Sequence, residues 1–177
     1  MRIICFGDSL TSCGGENGRY SDILQDRFPG HEFINVGIGG ETFVDARVRL
    51  QADVLAHAPD VVVLAFGAND WWQDERPVAQ WGDDLDYLIR EIKTIGAQIV
   101  VLGVFGEYFD ENDRVAPKNY GSDTRSIEFQ ALEAAVAAKH ECGYVANMQE
   151  RIVGRRCCWT DRNHPNEYGN RHVADTI

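Results

Sequence analysis

Five residues in this chain are of the types that acyl transfer needs: Ser9, Gly40, Asn69, Asp161 and His164. A serine hydroxyl becomes a nucleophile only when a base takes its proton, and that base needs a third group to fix its tautomer. Asp161 and His164 are three residues apart in a turn-like stretch, Thr160-Asp161-Arg162-Asn163-His164-Pro165-Asn166. That spacing lets the carboxylate accept from one ring nitrogen while the other faces a serine. Attack on an ester carbonyl creates an oxyanion, which preorganised donors stabilise. A backbone N–H at Gly40, which has no side chain to block a substrate, and the Asn69 amide are uncharged donors of that kind. Each piece also has a plain structural reading. Gly7-Asp8-Ser9 suits a turn and helix cap, Asp161/His164 a capped turn, Gly39-Gly40 a strand-to-helix turn and Asn69 a helix cap.

The elements around these residues decide whether they meet. Ile3-Ile4-Cys5-Phe6 is an apolar run that breaks at Gly7-Asp8-Ser9, so Ser9 falls at the carboxyl end of a strand, where open α/β sheets bind ligands. Ile23, Leu24 and Phe28 share a helix face, stopped by Pro29-Gly30. Phe33-Ile34-Asn35-Val36 is the second strand, and a helix follows from Phe43 to about Ala56. Val61-Val62-Val63-Leu64-Ala65-Phe66 is apolar without alternation, as in a parallel strand covered on both faces. After Pro77, Trp81, Leu85, Leu88, Ile89, Ile92 and Ile95 form a helical stripe. Ile99-Val100-Val101-Leu102 is the fourth strand. The polar stretch 103–123 is a long loop of the kind that is usually functional. Phe129, Leu132 and Val136 mark another helix, Tyr144-Val145-Ala146 a fifth strand, and 168–177 a closing helix.

Strands alternating with helices imply a parallel sheet joined by right-handed crossovers. The expected fold is α/β, three-layer and flavodoxin-like, with five parallel strands in the order 2-1-3-4-5 and helices on both faces. The loops that carry the candidate residues would then open on one rim. No repeat, linker or low-complexity tract divides residues 1–177, so a single domain is expected.

Four blocks in chain order resemble the SGNH hydrolases, the GDSL esterase/lipase superfamily, over nearly the whole chain. They are Gly7-Asp8-Ser9-Leu10, Gly39-Gly40-Glu41-Thr42, Gly67-Ala68-Asn69-Asp70 and Asp161-Arg162-Asn163-His164-Pro165. The resemblance implies hydrolysis of an ester or thioester through a serine acyl-enzyme, and a small domain with no obvious lid domain favours small or short acyl groups. Its catalytic residues would be Ser9, Asp161 and His164, and the N–H groups of Ser9 and Gly40 with the Asn69 side chain would form the oxyanion hole. A carbohydrate O-acetylesterase, a lysophospholipase or thioesterase, or an acyltransferase could use the same site. No metal or organic cofactor is implied. Glu41 stands where family members often carry Asp, outside the donor set, and is expected to be tolerated.

Candidate substrate contacts are Asp8, Trp71, Trp72 and Tyr108; for Asp8 a structural hydrogen-bonding role is the stronger reading. Glu107, Phe109 and Tyr120 are weaker candidates for a pocket wall, and Glu16, Asn17 and Arg19 for the leaving group. Arg151, Arg155 and Arg156 form a small basic patch, more simply a solvated face than an anion site. His31, His57, His140 and His172 read as surface residues. A non-catalytic flavodoxin-like binding module is the alternative of a different class, but the chain lacks G-x-G-x-x-G after strand 1 and any P-loop lysine.

A net charge of -11 and a pI near 4.8 argue against nucleic acid as a partner. No stretch is long and apolar enough for membrane insertion. The partner expected is a small-molecule ester, and no oligomeric state follows. Five cysteines without a C-x-x-C pair, and no signal peptide in this sequence, point to reduced thiols in a cytoplasm; a protein shorn of its leader would look the same.

Overall fold

A computed structural model of the protein describes residues 1–73, 75–103, 112, 114, 123–146, 148, 150–152 and 154–177. Five strands, β1 (Arg2–Gly7), β2 (Glu32–Asn35), β3 (Val61–Ala65), β4 (Gln98–Leu102) and β5 (Gly143–Val145), form one sheet in the order β2-β1-β3-β4-β5. Every pairing is parallel. This is the expected order, and it places the exits of β1 and β3 side by side, with Gly7 opposite Ala65. In β3, Val62, Val63, Leu64 and Ala65 are all buried. Successive side chains point to opposite faces, so both faces of the sheet are covered.

The helices are α1 (Ser9–Ser12), α2 (Tyr20–Arg27), α3 (Phe43–Asp53), α4 (Ala68–Gln73), α5 (Val78–Lys93), α6 (Thr124–Lys139) and α7 (Glu167–Ala174). α2 packs with α7, while α5 packs with both α3 and α6. The α5 stripe is buried from Trp81 to Ile92, but Ile95 lies past the helix end and is exposed. The helix expected to reach Ala56 stops at Asp53 and tightens into a 3-10 turn, Leu55–His57. Ala58 then turns left-handed, with φ of 44°, and it precedes Pro59, which disfavours helical backbone before it. His140 departs from its expected surface setting. Its Nε2 lies 2.8 Å from Asp86 Oδ1, and Lys139 reaches the same oxygen, so α6 is tied to α5.

Gly7 shows how tightly the site end of the sheet is built. A Cβ there would come within 2.1 Å of Thr11 Oγ1 and 2.6 Å of the Ala65 carbonyl oxygen. Only glycine lets β1 turn into α1 against β3. Among the described residues, no helix is long and apolar enough to cross a membrane.

Candidate active site

The chain leaves β1 at Gly7 and enters α1 at Ser9. Asp8 caps this turn, its Oδ1 accepting from the Leu10 N–H at 2.9 Å. Ser9 is half-buried at the rim, and its Oγ lies 3.0 Å from His164 Nε2. His164 Nδ1 lies 2.8 Å from Asp161 Oδ2. With Nδ1–H donating to the Asp161 carboxylate, Nε2 is left as the acceptor that a serine hydroxyl needs.

Asp161 is itself fixed. Its Oδ1 accepts from the N–H groups of Asn163 and His164, both at 2.9 Å. Partial burial pushes the Asp161 carboxyl up, but these two donors and the His164 ring outweigh it and hold it below its ordinary value. The turn closes where the Thr160 N–H donates to the His164 carbonyl, and Trp159 bridges to Pro165. Asn170 on α7 donates to the carbonyl of Cys13, just past α1, at 3.1 Å, and to that of Pro165 at 3.4 Å. It ties the serine segment to the histidine loop.

The glycine block passes beside the serine, for a Cβ on Gly39 would lie 3.7 Å from Ser9 Cβ. Gly40 is exposed with φ of +83°, a conformation that favours glycine. Asn69 sits inside α4 instead of capping it. Its Nδ2 donates to the Glu41 carbonyl at 2.9 Å and to Asp8 Oδ2 at 3.3 Å, while its Oδ1 accepts from Gln73 Nε2 at 3.1 Å. Gln73 also donates to the Gly40 carbonyl at 3.3 Å. The buried Asp70 carboxylate accepts from the Phe43 N–H at 3.1 Å, fixing the start of α3 to α4.

Ser9, His164 and Asp161 thus form one chain of hydrogen bonds, with the Gly40 loop and the α4 residue Asn69 bonded to each other alongside. Two candidate substrate contacts are corrected. Asp8 is wholly buried and Trp71 is 3% exposed, so neither offers a face to a ligand. Trp71 packs in the core, whereas Trp72 is 61% exposed, and the two rings lie 5.9 Å apart. Tyr108, Glu107, Phe109 and Tyr120 lie outside the described residues. Within the basic patch, Arg151 pairs with Asp175 and Arg156 donates to the Trp159 carbonyl. The Arg19 side chain pairs with Asp22. Two residues went unread in the sequence, Gln73 and Arg49. The i,i+4 spacing of Asn69 and Gln73 was a usable sign, but Arg49 looked like any charge on an amphipathic helix.

Burial pushes the Asp8 carboxyl up to about 7, helped by the charges of Asp70 and Glu41 and opposed by the Leu10 N–H. The folded protein therefore holds a proton on Asp8 more tightly than the unfolded chain, whose value is about 3.9. Stability contributed by that proton is lost as pH rises from about 4 through 7. Asp8→Asn removes this ionisation and keeps a good capping residue. Its gain in stability should be larger near pH 8 than near pH 5, with a ceiling of about 4 kcal/mol. Thermal melts at the two pH values check this, and an equal gain at both defeats it.

The sequence profile of the GDSL-like Lipase/Acylhydrolase family matches residues 5–172. An acetylxylan esterase of Geobacillus stearothermophilus is 33% identical, over 98% of this chain and 90% of that protein. An uncharacterized lipoprotein, YqeF, of Bacillus subtilis (strain 168) is 40% identical over 38% of this chain; the match spans only 31% of that protein's length. The fold is similar to the crystal structure of an acetyl xylan esterase, AlAXEase, with a TM-score of 0.81 and 24% identity over 99% of this chain and 97% of that one. The chain belongs to the GDSL-like Lipase/Acylhydrolase family and is an ester-bond hydrolase.

Proposed function

We propose that the protein hydrolyses carboxylic esters of small or short acyl groups through an acyl-enzyme on Ser9. The observation that carries this reading is the hydrogen-bond path from Asp161 through His164 to Ser9 Oγ. Ser9 Oγ attacks the ester carbonyl as His164 Nε2 takes its proton. The oxyanion accepts from the N–H groups of Ser9 and Gly40 and from the Asn69 side chain. Collapse breaks the C–O bond to the alcohol, which leaves with the proton from His164. Water, deprotonated by His164, then attacks the acyl carbonyl; the C–O bond to Ser9 Oγ breaks, Oγ takes the proton back from His164 and the carboxylic acid leaves. Asp161 keeps the ring oriented throughout and stabilises its charged form.

Two observations favour a sharper reading, an acetyl group carried on a carbohydrate. The relative that aligns over 98% of this chain is an acetylxylan esterase, and the exposed Trp72 offers an aromatic face of the kind that sugar rings stack on. The chain forms one catalytic domain in this reading. Its five unpaired thiols suit a reducing compartment such as the cytoplasm.

The test is labelling with a fluorophosphonate, followed by peptide mapping and an ester panel. We expect one adduct on the Ser9 peptide, absent in Ser9→Ala, and turnover that falls from acetyl through butyryl to octanoyl esters. Folded wild-type protein that stays unlabelled overturns the reading. Acetate release from acetylated xylooligosaccharides separates the carbohydrate reading from a general short-chain esterase. Product analysis with an added alcohol separates hydrolysis from acyl transfer.

A further inference from the structure

Arg49, on α3, is only 11% exposed at its side chain and makes contacts at the ends of two strands and in the glycine block. Its Nη2 donates to the Gly7 carbonyl at 3.0 Å, and its Nη1 to the Val36 carbonyl at 2.7 Å. Its Nε donates to the Glu41 carboxylate, and Nη1 also reaches Asp53 at 2.9 Å. The guanidinium carbon lies 4.5 Å from the centre of the Phe6 ring, so the group is held from its flat side as well.

These anchor points are all close to the chemistry. Gly7 is two residues before Ser9, and its carbonyl also accepts from the Ile38 N–H at 3.1 Å. Val36 follows directly after β2 and leads into the glycine block. Glu41 follows Gly40, and its own carbonyl accepts from Asn69 Nδ2. A single planar cation therefore joins the turn before the nucleophile to the glycine loop, and through Glu41 to Asn69 on α4. The Glu41 side chain, a departure expected to be tolerated, is part of this bracket and is 18% exposed. A shorter Asp carboxylate would end about 1.5 Å sooner along the chain, one C–C bond.

Resting on the acyl-enzyme reading above, we propose that Arg49 and Glu41 are positioning residues that set the spacing between Ser9 and the Gly40/Asn69 donors. They touch no substrate. They act on the step in which charge develops on the carbonyl oxygen, where a displacement of about 1 Å can cost 10²-fold in rate. A lysine at 49 carries the charge but has no planar fork to hold two carbonyls and a carboxylate at once.

The experiment compares kcat, KM and melting temperature for Arg49→Lys, Glu41→Asp and Glu41→Gln, assayed well below each melting point. Arg49→Lys and Glu41→Asp should each lower kcat by about 10- to 100-fold with KM within about 3-fold of wild type. Glu41→Gln keeps the chain length and an acceptor, and should recover most of the kcat lost in Glu41→Asp. The double variant Arg49→Lys/Glu41→Asp should be little worse than either single change, since both break one bracket. Wild-type kcat in folded Glu41→Asp and Arg49→Lys overturns the proposal. So do losses that follow the unfolded fraction alone, or that fall on KM alone. Should Arg49→Lys fail to fold, the two Glu41 variants decide the matter. Fluorophosphonate labelling of wild type at Ser9 is measured alongside; its absence condemns the acyl-enzyme reading itself, a result distinct from labelled wild type with unaffected bracket variants.

Discussion

Replacing His164 with alanine should lower kcat on acetyl esters by on the order of 10⁶-fold, with Ser9→Ala matching it and the double variant no worse than either. His164 Nε2 is 3.0 Å from Ser9 Oγ, and among the described residues no other side chain is bonded to that hydroxyl as a second base. Non-additivity is the diagnostic part. Once the base is gone the hydroxyl is as idle as an absent one, and only the oxyanion donors and substrate binding continue to act. Asp161→Asn should cost about 10⁴-fold. An amide at 161 can donate to His164 Nδ1, which leaves the ring proton on Nε2 facing Ser9, the wrong tautomer for a base. Asp161 is held below its ordinary value, so it stays ionised near neutral pH. Single-turnover kinetics check all four proteins. More than about 1% of wild-type kcat in His164→Ala, or additive losses in the double variant, would remove His164 from this role.

The sheet order was legible because its cause is local and repeated. Val61 to Phe66 has no polar break, which only a strand covered on both faces tolerates, and each apolar run is followed by a helical stripe. The Asp161/His164 pair was legible for the same reason, since three residues of a turn suffice to bring the two side chains together. What escaped notice depends on tertiary placement. Trp71 and Trp72 are adjacent in sequence, but α4 turns one into the core and the other to solvent. The hydrogen-bonding role of Asp8 was legible, but not that the Gly7 turn buries it wholly beside Asn69. Arg49 resembles Arg47 two residues before it, and no periodicity tells which guanidinium will bind Gly7, Val36 and Glu41. His140 became a cross-helix tie only because α6 ends over Asp86.

Asn69→Ala should lower kcat by about 10²- to 10³-fold, or about 2.7–4 kcal/mol of transition-state stabilisation. The Asn69 amide is oriented before any substrate arrives, with Oδ1 held by Gln73 and Nδ2 by the Glu41 carbonyl and Asp8. The longer of the two Nδ2 bonds, 3.3 Å to Asp8, is the one a developing oxyanion can replace at least cost. A donor already aimed spends nothing on reorganisation when charge appears, which is why such a group lowers the barrier more than it tightens binding. Accordingly KM should stay within about 3-fold of wild type. Asn69→Asp should be slower than Asn69→Ala near neutral pH, because it sets a carboxylate where the oxyanion forms, beside Asp8 and Glu41. Fluorophosphonate labelling of Asn69→Ala should still map to Ser9, since the Ser9–His164 contact does not involve residue 69. If Asn69→Ala loses activity only through KM, or if Asn69→Asp outperforms it, the side chain contacts substrate in its ground state and the oxyanion must be held by backbone donors.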